Sequence, residues 1–183
     1  MKLDVRTVLR RHGLIVAFGL FLIGVALNAD AFMSPGNIMD VLRQVSITGM
    51  MAIGVTFVVL TGRLDLSVGS MLTLLTVIIV DQHNQSGPAM AILMTLVAGM
   101  AVGAFNGLLI GFVGLNALIV TLAMLSFLQG LVLLYSGGSN VNVSNPQETW
   151  FAVFGRGNLM GIPVPVFMFL AAAVIAGLVL SKT

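Results

Sequence analysis

The sequence predicts an all-α, polytopic membrane protein, and three observations lead to that fold class. Hydrophobic residues make up 58 % of the 183 residues and charged residues only 8 %, whereas a soluble domain carries about 25 % charged residues. The mean hydropathy is +1.12. The apolar residues also fall into six runs separated by polar connections, which is the pattern expected of helices that cross a bilayer.

The six predicted spans follow a basic amino-terminal segment. Because more apolar runs come after the first one, we interpret it as an uncleaved span and not as a signal peptide. Residues 30–44 form a polar connection whose second part could be a short amphipathic helix, capped near Ser34 with Pro35 as its first residue. Residues 81–87 are predicted to be a loop and residues 136–162 a long hydrophilic connection. The spans are 13–29, 45–61, 66–80, 88–113, 117–135 and 164–180.

Charge, glycine and hydroxyl groups interrupt the apolar background at residues 61–70. Non-helical backbone at membrane depth has to be surrounded by protein or by a water-filled cavity, so we predict a broken or re-entrant region between the second and third spans. Asp65 or Ser67 can accept hydrogen bonds from the first amides of the new helix. Gly62 and Gly69 allow tight turning or close packing. An interfacial turn with a plain helix cap is the alternative.

Four glycines recur at a spacing of four in the predicted span 88–113. This spacing places them along one ridge of a helix, where small residues let a second helix backbone approach closely in lipid. We therefore expect this helix in the interior of the bundle, the alternative being a helix that is rich in glycine by chance. The four residues are Gly99, Gly103, Gly107 and Gly111.

The sequence shows no constellation of residues of the kind that an enzyme needs. The absence of cysteine excludes disulfides, thiolate metal sites and a cysteine nucleophile, and the two histidines have no companions at metal-ligand spacing. The spans contain no paired carboxylates and no Ser/His/Asp set, and the chain has no phosphate-binding loop. We therefore expect no catalytic residue, no cofactor and no metal. Scattered basic residues also argue against nucleic acid as a partner.

The spans contain uncharged polar side chains that could line a translocation path. Asn106 and Gln129 are costly to bury in a membrane, and we name them with Thr121 as candidates. Threonine in a membrane helix more often bonds to its own backbone. A neutral lining suits an uncharged, hydroxyl-rich solute, because an ion pathway would be expected to show charge inside the membrane.

The distribution of basic residues predicts the orientation of the chain. With both termini in the cytoplasm, six of the eight basic residues lie on the cytoplasmic side, as the positive-inside rule requires. The broken region is then cytoplasmic, and residues 136–162 lie outside. The inner set is Lys2, Arg6, Arg10, Arg11, Arg63 and Lys182, and the outer set is Arg43 and Arg156.

Residues 61–70, Thr-Gly-Arg-Leu-Asp-Leu-Ser-Val-Gly-Ser, resemble the signature Thr-Gly-Gly-Ile-Asp-Leu-Ser-Val-Gly-Ser of the membrane subunits of ribose-type sugar ABC importers. Residues 106–109, 118–122 with 130–131, and 154–166 resemble further stretches of that family in the same order. The resemblance covers roughly residues 41–182. Four positions depart from the family pattern: Arg63 replaces glycine, Ala117 and Leu118 replace Pro-Phe, and Gln129 replaces a common arginine.

The resemblance implies a permease subunit of the bacterial inner membrane that works by alternating access. It implies as partners a cytoplasmic ATPase, a periplasmic sugar-binding protein, a second permease copy or homologue, and membrane lipid. Glu148, Trp150 and Arg156 in the outer connection are candidates for contact with the binding protein, the alternative being that they pack on the bundle. Residues 1–183 form a single permease domain in this interpretation.

Two other functions are consistent with the sequence. Members of the family continue well past the position of Thr183, so the chain could be a fragment, a truncated gene product or one half of a two-chain permease. A non-transporting scaffold or regulatory fragment is therefore an alternative. A secondary carrier is the other, although it would need coupling charges inside the membrane.

Overall fold

The computed structural model describes residues 5–144, 150 and 152–182, and for residues 5–12 it describes the backbone alone. These residues form seven helices and one short hairpin. The elements in chain order are α1 (Val5–Asn28), α2 (Pro35–Leu60), α3 (Val68–Ser86), α4 (Pro88–Gly111), α5 (Ala117–Ser136), α6 (Ala152–Arg156), β1 (Asn158–Leu159), β2 (Ile162–Pro163) and α7 (Val164–Leu180).

This architecture confirms the all-α, multi-pass membrane fold. The six long helices follow the six predicted spans, and three of them, α2, α4 and α5, are long and apolar enough to cross a bilayer. Residues 13–28 of α1 and the whole of α7 are shorter apolar helices. A stretch of about 20 apolar residues is needed to cross the ~30 Å hydrocarbon core without a local adjustment of the bilayer or the helix.

The chain divides into two compact units, residues 1–45 and 46–183. In the first unit, the predicted start of a helix near Ser34 is confirmed. Ser34 Oγ accepts a hydrogen bond from the Asn37 amide at 3.3 Å, and Pro35 is the first helical residue. The prediction of a separate short amphipathic helix was wrong, because the helix continues without interruption to Leu60.

The predicted loop over residues 81–87 was also wrong, since α3 continues to Ser86 and only Gly87 separates it from α4. The polar side chains in the last turns bond to the helix itself and to neighbouring groups. Gln85 Nε2, for example, donates to Asp81 Oδ2 at 2.8 Å, one helical turn away. Gly87 then reverses the chain with a φ of 83°, a conformation that glycine adopts without steric cost, and Pro88 begins α4.

The core of the second unit lies where α3 packs against α4 and α5. Leu74 of α3 and Met124 and Leu128 of α5 are buried together. Val102 of α4 packs against this cluster. The buried residues of α5 include positions 120, 124 and 128, a spacing of four that keeps them on one helix face.

The long connection after α5 is partly ordered by hydrogen bonds to α3. Gly137 ends α5 in the left-handed conformation with a φ of 60°. The Asn84 side chain then donates from Nδ2 to the Asn142 carbonyl at 2.9 Å and accepts from the Ser144 amide at 3.0 Å. The Asn84 side chain therefore supplies partners for two backbone groups of the connection, as the backbone of a paired β-strand would.

The second half of the connection contains α6 and a tight hairpin. Strand β1 pairs antiparallel with β2, and Met160 and Gly161 form the two-residue turn. Both turn residues have positive φ, 53° and 82°, which is the pattern of a type I′ turn. This turn type favours Asn-Gly, so methionine is an unfavourable residue at its first position.

Replacing Met160 by asparagine is expected to stabilise the hairpin by about 0.5–1 kcal/mol, because asparagine tolerates the left-handed region better than an unbranched apolar residue does. The Met160 side chain is 94 % exposed, so the substitution removes little packing. Thermal unfolding in detergent should show a higher midpoint. The matched control is Met33→Asn, an exposed methionine with an ordinary backbone, and an equal shift in both variants would contradict the prediction.

Candidate functional site

The helix restart predicted within residues 61–70 is present between α2 and α3. Gly62, two residues after the end of α2, has a φ of 74°, and its amide donates to the Val59 carbonyl. Asp65 Oδ1 accepts hydrogen bonds from the Ser67 amide at 2.8 Å and from Ser67 Oγ at 2.6 Å. Ser67 precedes α3, but its own side chain makes no cap bond. The fourth predicted residue, Gly69, has open space where a Cβ would lie.

A buried hydrogen-bond chain connects this break to α4. Ser67 is fully buried, and its Oγ accepts a bond from Asn106 Nδ2 at 3.2 Å. Asn106 is only 5 % exposed. Its Oδ1 atom is buried and has no hydrogen-bond partner among the described residues. Buried polar atoms in proteins usually have a partner, so this oxygen is unusual among the described residues.

A cavity of about 610 Å³ lies between α2, α3 and α4 beside this chain. The walls are mainly apolar and include Met50, Val55, Phe57 and Leu72. Thr61, Arg63, Asp65 and Asn106 supply its polar groups. Small-molecule sites in proteins have typical volumes of about 300–1,000 Å³ and combine apolar walls with a few convergent polar groups.

The four glycines of α4 differ in their surroundings. A Cβ at Gly99 would lie 3.3 Å from Leu75 Cδ1, which indicates close packing of α4 on α3. A Cβ at Gly103, Gly107 or Gly111 would meet no atom of the described residues within 4 Å. Gly103 and Gly107 instead line the cavity, so the absence of side chains there contributes to its volume.

The other two predicted path residues do not lie at the cavity. Thr121 is fully buried, and its Oγ1 donates to the Ala117 carbonyl at 2.8 Å, one turn back along α5. This is the self-bonding that is common for threonine in membrane helices. Gln129 is exposed on the same helix. Of the three candidates, the structure therefore brings only Asn106 together with the break.

The candidate contact residues for a binding protein are described in part. Trp150 and Phe154 stack edge to face with ring centroids 5.9 Å apart, and Trp150 remains 53 % exposed. Arg156 at the end of α6 is exposed. Glu148 lies outside the described residues. These positions share the connection between α5 and α7, as the sequence predicted.

Two features near these sites have no clear sequence signal. Tyr135 Oη donates to Asp81 Oδ2 at 2.5 Å and thereby links the end of α5 to α3. A Cβ at Gly49 would lie 2.5 Å from Phe169 Cε2, so the Phe169 ring of α7 lies directly against the α2 backbone there. Each pair joins residues more than 50 positions apart, and no periodic pattern indicates such a pairing. Among the described residues, no group of three or more acidic or histidine side chains could hold a metal ion.

Comparisons with known proteins relate the chain to membrane permeases. The family model described as "branched-chain amino acid transport system / permease component" matches residues 37–183. A ribose import permease protein of Bacillus subtilis is 36 % identical over 177 residues, which is 96 % of this chain and 55 % of the relative. A ribose import permease protein of Haemophilus influenzae is 30 % identical over 97 % of this chain and 55 % of the relative.

An L-arabinose ABC transporter permease protein of Azospirillum brasilense is 33 % identical over 179 residues, 96 % of this chain and 51 % of the relative. The chain thus spans about half the length of the curated relatives it matches. No solved structure matches it. Since the family match covers well over half of the residues, the chain belongs to the family of permease components that this model describes.

Proposed function

We propose that the chain is a transmembrane subunit of an ATP-driven, binding-protein-dependent importer of a monosaccharide or a similar small polar solute. The observation that carries the proposal is the buried hydrogen bond between Ser67 at the break and Asn106 of α4, beside a cavity with mainly apolar walls. The names of the relatives, ribose and L-arabinose permeases, favour a sugar. In this proposal residues 1–183 act as one permease domain.

The proposed subunit lies in the bacterial inner membrane with both termini in the cytoplasm. The bias of basic residues toward the amino terminus and the α2–α3 break supports this orientation. Residues 136–162 are then periplasmic. The broken region is cytoplasmic, where it would act as a hinge or packing element near an inner gate.

The proposed partners are a cytoplasmic ATPase subunit, a periplasmic sugar-binding protein, a second permease copy or homologue, and membrane lipid. ATP hydrolysis belongs to the ATPase in this proposal, because the sequence has no phosphate-binding loop. Among the residues proposed for the path, Asn106 has the strongest support. Gln129 is exposed, and Thr121 donates a hydrogen bond to the backbone of its own helix. A role for either residue in the translocation path therefore requires contacts other than those among the described residues.

Uptake measurements test the proposal directly. Cells that produce the chain with the ATPase and binding protein of its own genome should accumulate labelled ribose or L-arabinose, and ATP depletion should abolish the uptake. Uptake that continues without ATP and stops when the ion gradient is dissipated would instead indicate a secondary carrier. A chain that neither supports uptake nor co-purifies with an ATPase would support the scaffold alternative.

Charge reversal in the outer connection tests the proposed contact with the binding protein. We expect Glu148→Lys and Arg156→Glu each to reduce uptake severalfold at limiting binding protein, because charges at the edge of an interface mainly change the association rate. The effect should decrease as salt concentration rises. The control is Arg43→Glu, which changes an exposed pair with Asp40 elsewhere in the chain. Normal uptake and docking in both variants would remove the proposed role.

A further inference from the structure

The cavity beside the α2–α3 break extends through half of the membrane. On α2 its lining begins at Met50 and continues to Val58 in the last turn of the helix. From Met50 to Leu60 the helix axis rises about 15 Å at ~1.5 Å per residue, which is half of the ~30 Å hydrocarbon core of a bilayer. Among the described residues of α2, positions 35–49 do not line the cavity. The cavity therefore has the depth of a single leaflet.

The two ends of the cavity differ in polarity. Because α2 is long and apolar enough to cross a bilayer, the break that follows it lies near a membrane surface, and there Thr61, Arg63 and Asp65 contribute to the lining. The deep end is apolar, with Met50 of α2 and, about two turns after the start of α3, Leu75. An occupant that suits both ends has a polar group at the surface and an apolar part directed toward the middle of the bilayer.

Arg63 is the polar residue at the break that remains available to a ligand. Thr61 Oγ1 donates to the Val58 carbonyl at 2.7 Å, and Asp65 Oδ1 accepts both the amide and the hydroxyl of Ser67. Arg63 is exposed, and its guanidinium has no hydrogen-bond or ion-pair partner among the described residues. An arginine near a membrane surface attracts lipid phosphate groups, which it binds through strong and often bidentate hydrogen bonds.

An acyl chain suits the depth and the walls of the cavity better than water or a membrane helix does. Water finds few partners on apolar walls, and an empty cavity deprives its lining atoms of dispersion contacts. A membrane helix needs about 20 residues to cross the bilayer, so it would contact α2 in both leaflets, whereas the cavity occupies one. A helix would also bring no anion to Arg63.

We propose that the cavity binds one acyl chain of a glycerophospholipid, whose phosphate group contacts Arg63. Such a lipid keeps its chains within one leaflet and its phosphate at the membrane surface, which matches the depth and the polarity of the cavity. The bound chain packs against α2, α3 and α4 together and so stabilises their arrangement around the break. The inference goes beyond the proposed function and does not depend on it, because it requires only that the chain lies in a membrane.

Native mass spectrometry of the detergent-purified chain tests the inference with two lipids that have the same oleoyl chains. Dioleoylphosphatidylglycerol carries the phosphate group, and dioleoylglycerol lacks it. We expect one phosphatidylglycerol to bind per chain. The concentration of dioleoylglycerol for half occupancy should be about tenfold higher, the effect of losing one hydrogen bond between charged groups.

Arg63→Gln should remove this preference for the phosphate. The substitution is expected to raise the phosphatidylglycerol concentration for half occupancy about tenfold and to leave that of dioleoylglycerol unchanged, because only the phosphate contacts Arg63. Arg63→Lys keeps the charge and should retain most of the preference. The matched control is Arg43→Gln, at an arginine that pairs with Asp40 outside the lining, which should bind both lipids as the unsubstituted chain does.

Gly107→Leu tests the position of the acyl chain. Gly107 lines the cavity and has open space where a Cβ would lie, so a leucine there fills part of the cavity and should weaken the binding of both lipids about tenfold. Gly111→Leu is the matched control, with the same open space on α4 but outside the lining. Leucine favours a helix more than glycine does, so the thermal midpoint should not fall in either variant.

Several outcomes would overturn the inference. These are a chain that retains neither lipid, equal affinity for the two lipids, and equal binding by Gly107→Leu and Gly111→Leu. A membrane polypeptide that co-purifies with the chain and prevents lipid binding would also overturn it, because a protein helix would then fill the cavity. Uptake measurements decide the importer proposal separately, since lipid binding with the expected dependence on Arg63 and Gly107 supports the inference with or without sugar uptake.

Discussion

Replacing Gly49 by alanine is expected to lower the free energy of unfolding by about 1–3 kcal/mol, the usual cost of inserting a methyl group where no space exists. The new Cβ would lie 2.5 Å from Phe169 Cε2 and 2.9 Å from two further atoms of the same ring. Either the Phe169 ring rotates away or α2 and α7 separate. SDS or thermal unfolding in detergent would measure the loss.

Gly54→Ala on the same helix is the matched control. A Cβ there meets no atom within 4 Å, and alanine is a better helix former than glycine by up to about 1 kcal/mol. This variant should be neutral or slightly more stable. Phe169→Leu should restore much of the stability lost in Gly49→Ala, and the double-mutant cycle measures that coupling. Equal losses in the Gly49 and Gly54 variants, with no rescue, would show that the close approach is not responsible.

The contrast between Gly49 and the glycines of α4 shows which close contacts of the helices could be predicted from the sequence. The spacing of Gly99, Gly103, Gly107 and Gly111 correctly indicates a common ridge, but a ridge does not reveal its neighbour. Of these four glycines, only Gly99 approaches another side chain closely within the described residues. Gly49 belongs to no periodic set, and its constraint comes from a ring 120 positions later in the chain.

The same distinction applies to the candidate site. The interruption of an apolar run by Asp65 and Ser67 predicts the break, because local capping chemistry decides where a helix can restart. The cost of burying an amide singles out Asn106 as well. The bond between Ser67 and Asn106 spans 39 positions, and hydropathy and spacing carry no signal for it. The same limit explains why polarity within the spans singles out Thr121 and Gln129 together with Asn106, although neither lines the cavity.

Asp65→Ala is expected to be the most damaging substitution at the break, with a loss of about 2–4 kcal/mol. One carboxylate oxygen accepts both the backbone amide and the hydroxyl of Ser67, and Ser67 is fully buried. Hydrogen bonds to a charged group each contribute about 1.5–3 kcal/mol, and a buried donor that loses its partner incurs the cost of desolvation in full. The variant should unfold at lower temperature or lower SDS concentration.

Asp40→Ala is the control for loss of an aspartate without burial. The Asp40 side chain is 64 % exposed and pairs with Arg43 at 2.7 Å, an arrangement that typically contributes about 0–1 kcal/mol. Asp65→Asn keeps an acceptor for the Ser67 amide and should lose much less than Asp65→Ala. The ordering of the three variants therefore depends on whether the buried Ser67 amide and hydroxyl keep an acceptor. If Asp65→Ala were as stable as Asp40→Ala, the Asp65 carboxylate would not stabilise the start of α3. Other contacts would then have to fix the conformation of the α2–α3 break.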